Sequence, residues 1–227
     1  MGIHDGHRER MLTKYFESGF SVFEEHEKLE IILYYSVPRR NTNELAHELL
    51  SKYHTIAQVM DAPPKELLKF KGVTKRTVQY FKLIKDTYCL YLLEKSNEKT
   101  FMTTVDEYGT YFMLYFATVS EEQMVMLSLD NRGKKLGIDV IAKGDIATVN
   151  LNTREIIVKA LNRHCTEVVV CHNHPGGIAL PSKGDIEATK LLKETLLNIG
   201  VRLRDHYIVT KEDYCTMRNQ KDCKYLF

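Results

Sequence analysis

The densest chemistry in the chain lies in CHNHPGGIALPSKGD, residues 171–185. His172 and His174 are two apart, and at a strand end residues i and i+2 project from the same face. Two imidazoles so placed can meet one metal ion. Pro175-Gly176-Gly177 stops the strand and turns the chain. Ser182 has the type and position of a helix N-cap, which puts Asp185 in the first turn of the next helix. Two nitrogens, one carboxylate oxygen and a water make a tetrahedral zinc site with an open catalytic position. Plainer readings stand beside this one. An H-x-H at a strand end also serves surface or structural roles. Ser182-x-x-Asp185 is also a capping-box-like pattern, with its carboxylate near the helix dipole. The capping reading does not exclude ligation, because the same turn can aim Asp185 at a metal.

The elements that must position these residues can be read around them. TEVVVC (166–171) is β-branched and bounded by polar residues, as in a buried strand. The helix opened at Ser182 runs toward Gly200, a good residue just past a helix end, and VRLRDHYIV then gives another strand. Upstream, a helix is predicted over Val105 to Val119 and a strand over Gln123 to Leu129. Asp130-Asn131-Arg132-Gly133 signals a hairpin turn, and a second strand follows over Lys135 to Ala142. Asn152-x-x-Glu155 opens a helix to about Asn162. Strands alternating with helices predict an α/β layered fold.

Residues 1–95 read differently. Apolar residues recur at helical spacing in Leu29, Ile32, Leu33 and again in Leu45, Leu49, Leu50. Pro38 ends the first of these helices and Asn41-Thr42-Asn43 caps the second. A short helix, a glycine hairpin at Lys71-Gly72-Val73 and a long amphipathic helix follow. The polar stretch KSNEKT (95–100) lacks periodicity, so the expected domains are a helical module over 1–95 and an α/β domain over 101–227.

With 227 residues there is room for two such domains, and 44% hydrophobic with 27% charged residues is the mix of a soluble globular protein. The formal net charge of +2 excludes a general polycation. No secretory h-region follows MGIHDGHRER, Gly6 stands where N-myristoylation wants Ser or Thr, and no apolar run is long enough to span a membrane. Five cysteines without a C-x-x-C pair point to reduced thiols in a cytoplasm.

The spacing His172-x-His174, seven residues, Ser182, two residues, Asp185 resembles that of the JAB/MPN (JAMM) metalloprotease family. The segment TREIIVKALNRHCTEVVVCHNHPGGIALPSKGDIEATKLLKETLLNIGVRLRDHYIV resembles the RadC family of bacteria over nearly its whole length. One departure is that Gly176 stands where the family usually shows Ser. It lies outside the ligand set, so the metal is expected to be kept. The resemblance implies a fold class: α/β, with a helical helix-hairpin-helix module followed by a JAB/MPN-type (cytidine-deaminase-like) mixed β-sheet domain with flanking helices. It implies one Zn2+ per chain, held by His172, His174 and Asp185. It also implies a catalytic Glu before a strand, eight residues ahead of the Asp of an L-D pair. In SEEQMVMLSLD that position is Glu122, with Glu121 as the alternative and a solvent-facing pair of acids as the plain reading. Ser182 could then donate a hydrogen bond to a tetrahedral oxyanion. The implied activity is hydrolysis of an amide or isopeptide bond in a protein or peptide; the residues alone imply metal-assisted hydrolysis.

Two similar patterns are set aside. His172-Asn173-His174 spells HNH, but nucleases of that name spread those residues over a much longer unit. A zinc deaminase would need H-x-E with P-C-x-x-C. Asp205-His206 recurs in the RadC pattern and could orient a ligand from behind, or simply pack. Cys171, on the alternate face from His172, is expected in the core.

Residues 65–85 carry seven basic side chains against the single acid Glu66. ELLKFKGVTKRTVQYF resembles the helix-hairpin-helix DNA-binding motif, and residues 7–93 resemble the RadC N-terminal domain. Lys71, Gly72, Lys75 and Arg76 are the expected phosphate contacts. Thr74 replaces the second glycine of the usual hairpin, which counts against close phosphate approach. A solvated face or a protein-docking hairpin is the rival. For the whole chain the expectation is a RadC-like zinc metallohydrolase, peptidase or isopeptidase. The alternatives are a non-catalytic DNA-repair or recombination accessory with a structural zinc, and a docking scaffold.

Overall fold

The computed structural model describes residues 6–38, 40–98, 100–144 and 151–227. The Met1-Gly2 start and Lys99 of the polar stretch lie outside these. The chain divides into two compact units, Met1–Thr87 and Tyr88–Phe227.

The first unit is helical: α1 (His7–Ser18), α2 (Glu25–Leu33), α3 (Asn43–Tyr53), α4 (Ile56–Asp61), α5 (Pro64–Leu67) and the start of α6 (Lys75–Glu98). Its core gathers Leu29 and Leu33 of α2, Leu45 and Leu49 of α3, Val59, Leu67 and Phe81. In the predicted Asn41-Thr42-Asn43 cap the capping side chain is Asn41, whose Oδ1 accepts from the Asn43 amide at 3.0 Å. Thr42 is the N-cap of α3, but its hydroxyl makes no cap bond. It donates instead to Glu30, as do Asn43 Nδ2 at 2.9 Å and the Tyr34 hydroxyl at 3.0 Å. Glu30 is only 2% exposed. A buried carboxylate needs donors, and the buried Thr42 hydroxyl supplies one of them.

The polar stretch 95–100 predicts the domain boundary. The division falls earlier, inside α6, because Leu93 packs against the second core and the Ser96 carbonyl accepts from Lys135 Nζ at 2.8 Å.

The second unit opens with α7 (Val105–Phe116), capped reciprocally by Thr104 and Glu107. Next come β1 (Gln123–Leu129) and β2 (Lys135–Lys143), then α8 (Thr153–Asn162), β3 (Glu167–Asn173), α9 (Lys183–Leu197), β4 (Arg202–Val209) and a short β5 (Tyr214–Thr216) that sequence patterning did not predict. The sheet order is β2-β1-β3-β4-β5, with β3 and β4 parallel and the other neighbours antiparallel. The β1–β2 turn is the predicted one: Asp130 Oδ1 accepts from the Arg132 and Lys134 amides, each at 2.8 Å, and Gly133 has φ +80°.

Alternate residues of the central strands feed two different cores. Met124, Met126, Val168 and Val170 pack against Ile156 of α8 and Leu192 and Leu196 of α9. Val125, Leu127, Val169 and Cys171 pack against Tyr108 and Phe112 of α7. A sheet covered on both faces explains why β1 and β3 read as continuous apolar runs. It also places Cys171 in the core, opposite the two histidines. Among the described residues, no helix is long and apolar enough to cross a membrane.

Candidate metal centre

The parallel β3–α9–β4 crossover decides the local geometry. Leaving β3, the chain returns through residues 174–182 into α9, so the start of α9 lies against the end of β3. Asp185 is thereby buried beside a fully buried His172. Its Oδ1 is 3.0 Å from His172 Nε2, and its Oδ2 is 3.8 Å from His174 Nε2. The two Nε2 atoms are 2.8 Å apart. Glu122, just before β1, joins them: one carboxylate oxygen and the two imidazole nitrogens all lie within 4.8 Å of one another. Glu122, His172 and His174 form a group that could hold a metal ion.

Ser182 and Asp185 are also a complete capping box. The Asp185 amide donates to Ser182 Oγ at 3.2 Å, and the Ser182 amide donates to Asp185 Oδ2 at 2.7 Å. One carboxylate therefore fulfils the predicted capping role through Oδ2 while its Oδ1 faces His172. Burial raises the Asp185 carboxyl, but hydrogen bonding and charge from His172 and hydrogen bonds from Ser182 outweigh it and hold the group well below the usual carboxylate range.

Behind His172 a hydrogen-bonded chain runs away from the group. His172 Nδ1 is 2.8 Å from His206 Nε2, and His206 Nδ1 is 2.7 Å from Thr189 Oγ1. Thr189 Oγ1 donates to the Asp185 carbonyl at 2.5 Å. A carbonyl can only accept, so the Thr189 proton is used there and its oxygen accepts from His206 Nδ1–H. Burial drives the His206 pKa well below the ordinary imidazole value, which favours the neutral ring. Its Nε2 then accepts from His172 Nδ1–H. His174 is set likewise, its Nδ1 donating to the Ile178 carbonyl at 2.9 Å.

With Nδ1 of each ring engaged elsewhere, the two Nε2 atoms are left facing each other and the Asp185 carboxylate. This donor set fits a metal of the zinc type, bound by nitrogen and carboxylate oxygen.

Residues 102–222 match the family model described as the RadC-like JAB domain. The chain belongs to the RadC-like JAB domain family. A UPF0758 protein of Fusobacterium nucleatum subsp. nucleatum is 29% identical over 218 residues, covering 93% of this chain and 94% of that protein. A UPF0758 protein of Neisseria meningitidis serogroup B is 27% identical over 210 residues, covering 92% and 93%. At Gly176, where Ser is expected, a Cβ would meet nothing within 4 Å, so a Ser would fit at this point of the RadC-family chain.

The Asp205-His206 pair separates. His206 backs His172, while Asp205 accepts from the Thr216 hydroxyl, from the His206 amide at 2.7 Å and from the Arg218 amide at 3.1 Å. Successive residues of β4 face opposite sides, so only one of the pair can reach the RadC-type site; Asp205 ties β4 to the segment at β5. Thr189 was not singled out from sequence. Its signal was its spacing, one helical turn after Asp185 and therefore on the same face of α9.

The basic hairpin belongs to the first unit. Lys71, Lys75 and Arg76 are exposed and have no ion-pair partner among the described residues. Gly72 has φ +111°. Thr74 begins α6: its Oγ1 accepts from the Thr77 amide at 3.4 Å, and its own amide donates to Thr77 Oγ1 at 3.2 Å.

Proposed function

We propose that the chain is a zinc-dependent hydrolase of amide or isopeptide bonds in protein or peptide substrates, with one zinc per chain. The observation that carries this is the convergence of two imidazole Nε2 atoms with the Asp185 and Glu122 carboxylates at the end of β3. His172, His174 and Asp185 would hold the ion. Zinc supplies a Lewis acid that lowers the pKa of water to roughly 7. Glu122 takes the proton from the attacking water and returns it to the leaving amine, as a positioned carboxylate does in general acid–base catalysis. Ser182 Oγ accepts from the Asp185 amide, and its own O–H is the donor offered to an oxyanion. Lys71, Gly72, Lys75 and Arg76 contact a DNA backbone and bring the hydrolase to DNA or DNA-bound proteins.

The test is elemental analysis of the purified full chain together with cleavage of linear and branched peptide libraries. One zinc per chain is expected, lost in the His172→Ala, His174→Ala double variant. Glu122→Gln should keep zinc and abolish cleavage. Full zinc in the double variant overturns the site. Zinc without cleavage by the parent would favour a metal that only stabilises the fold.

A further inference from the structure

Asn173 lies between the two histidines, and its side chain points away from them. It is 3% exposed. The β1–β3 ladder pairs Met124 with His172 and stops there, while the β3–β4 pairing runs on: Asn173 pairs with Val209, and the His174 amide donates to the Val209 carbonyl at 2.8 Å. The Asn173 carboxamide then continues the β1 side of the ladder by one rung. Its Oδ1 accepts from the Gln123 amide at 2.7 Å, and its Nδ2 donates to the Glu121 carbonyl at 2.9 Å. These are the two peptide groups on either side of Glu122. The Glu122 carbonyl is itself held by the Gly144 amide at 2.8 Å.

We propose that Asn173 is the positioning residue for Glu122, clamping the peptide groups on both sides of it so that its carboxylate stays beside the His172–His174 pair. This deepens the reading of Glu122 as the proton-transfer group and rests on that reading. The clamp explains the residue type. Glu121 offers only an acceptor and Gln123 only a donor, so the clamping side chain must present one donor and one acceptor side by side in a plane. A carboxamide one methylene from the backbone does so. An Asp of the same shape would set an oxygen against the Glu121 carbonyl, and Ser has a single polar atom. Adjacent strand residues face opposite sides, so one dipeptide of β3 places a ligand on one face and secures the proton-transfer group from the other.

The experiment uses the full chain loaded with cobalt(II) in place of zinc, at one fixed pH, with Asn173→Asp and Asn173→Ala in the parent and in a Glu122→Gln background. The second substitution removes both bonds without adding charge, should the first fail to fold. Three readouts are taken: cobalt affinity by chelator competition, the visible cobalt spectrum, and amide exchange at Gln123 in the metal-free chain. Gln123 exchange should rise about tenfold, the equivalent of one lost hydrogen bond. Cobalt affinity should fall by less than about tenfold, since the ligands and their outer partners are untouched. The spectrum should move toward that of Glu122→Gln, and in the Glu122→Gln background Asn173 variants should add nothing. Unchanged exchange and spectrum would overturn the clamp, as would an equal spectral change in the absence of the Glu122 carboxylate. A parent that binds no cobalt overturns the metal-centre reading and this proposal with it. A spectrum altered by Glu122→Gln but not by the Asn173 variants overturns the clamp alone.

Discussion

His206 Nε2 lies 2.8 Å from Nδ1 of His172, and the two rings sit on adjacent parallel strands, with their centroids 4.9 Å apart. This contact fixes which nitrogen of His172 is left for a ligand. Removing it frees the ring to rotate and to exchange tautomers. His206→Ala should therefore weaken zinc binding by roughly 10- to 100-fold, the usual range for an outer partner of a metal ligand. Competition against a chromophoric chelator measures this. An affinity equal to the parent's would show that the surrounding packing alone orients His172.

Asp185 uses its two oxygens for two tasks, and a pair of substitutions separates them. Ser182→Ala removes one bond of the capping box and should cost about 1 kcal/mol of stability. It should leave zinc bound, because the Asp185 carboxylate keeps its own bond from the Ser182 amide. Asp185→Asn should lose zinc outright, since an amide offers no charge to balance the ion. Thermal melts of metal-free protein and zinc content of dialysed protein report the two effects. Zinc lost equally from both variants would mean that the cap, and not the carboxylate charge, builds the site.

What could be read from sequence follows from how local each signal is. His172-x-His174, Ser182-x-x-Asp185 and the β1–β2 turn are set by residues within a few positions of one another, so period and capping chemistry are sufficient to expose them. The His206 contact spans 34 residues and depends on β3 pairing with β4 in one register. The Asn173 clamp spans 50 residues to Gln123 and depends on where one ladder stops. Neither register nor ladder length is written in the local pattern. At Asn41-Thr42-Asn43 the local capping signal holds through Asn41, while the Thr42 hydroxyl goes to a buried carboxylate twelve residues away that no local pattern shows.

Gly109 provides a stability test remote from the histidines. It sits inside α7, where alanine would ordinarily be the better helix former. A Cβ at this position would fall 2.5 Å from the Tyr214 ring. Tyr214 is held in turn by a hydrogen bond to Asp106 and sits against the α7 side of the sheet. Overpacking therefore outweighs propensity, and Gly109→Ala should destabilise by about 1–3 kcal/mol. Zinc content should not change. A more stable Gly109→Ala, seen as a raised urea midpoint, would show that the Tyr214 ring can move aside without loss.

The basic hairpin gives the last prediction. If Lys71, Lys75 and Arg76 hold a phosphate backbone, binding should be electrostatic and indifferent to sequence. Replacing all three by Ala should weaken DNA binding and reduce the salt slope by roughly three, as about one counterion is released per contact. Fluorescence anisotropy on a labelled duplex at several salt concentrations measures this. Thr74 adds a second arm. Its side chain is turned into the start of α6, bonded with Thr77, so it caps the helix whose N-terminus would face the phosphate. Thr74→Gly removes that cap while opening the hairpin. If the missing glycine is what limits phosphate approach, the variant should bind DNA more tightly despite a less stable α6. If the ordered helix start matters more, it should bind more weakly. No binding by the parent at low salt, or an unchanged slope in the triple variant, would assign the hairpin to a protein partner instead.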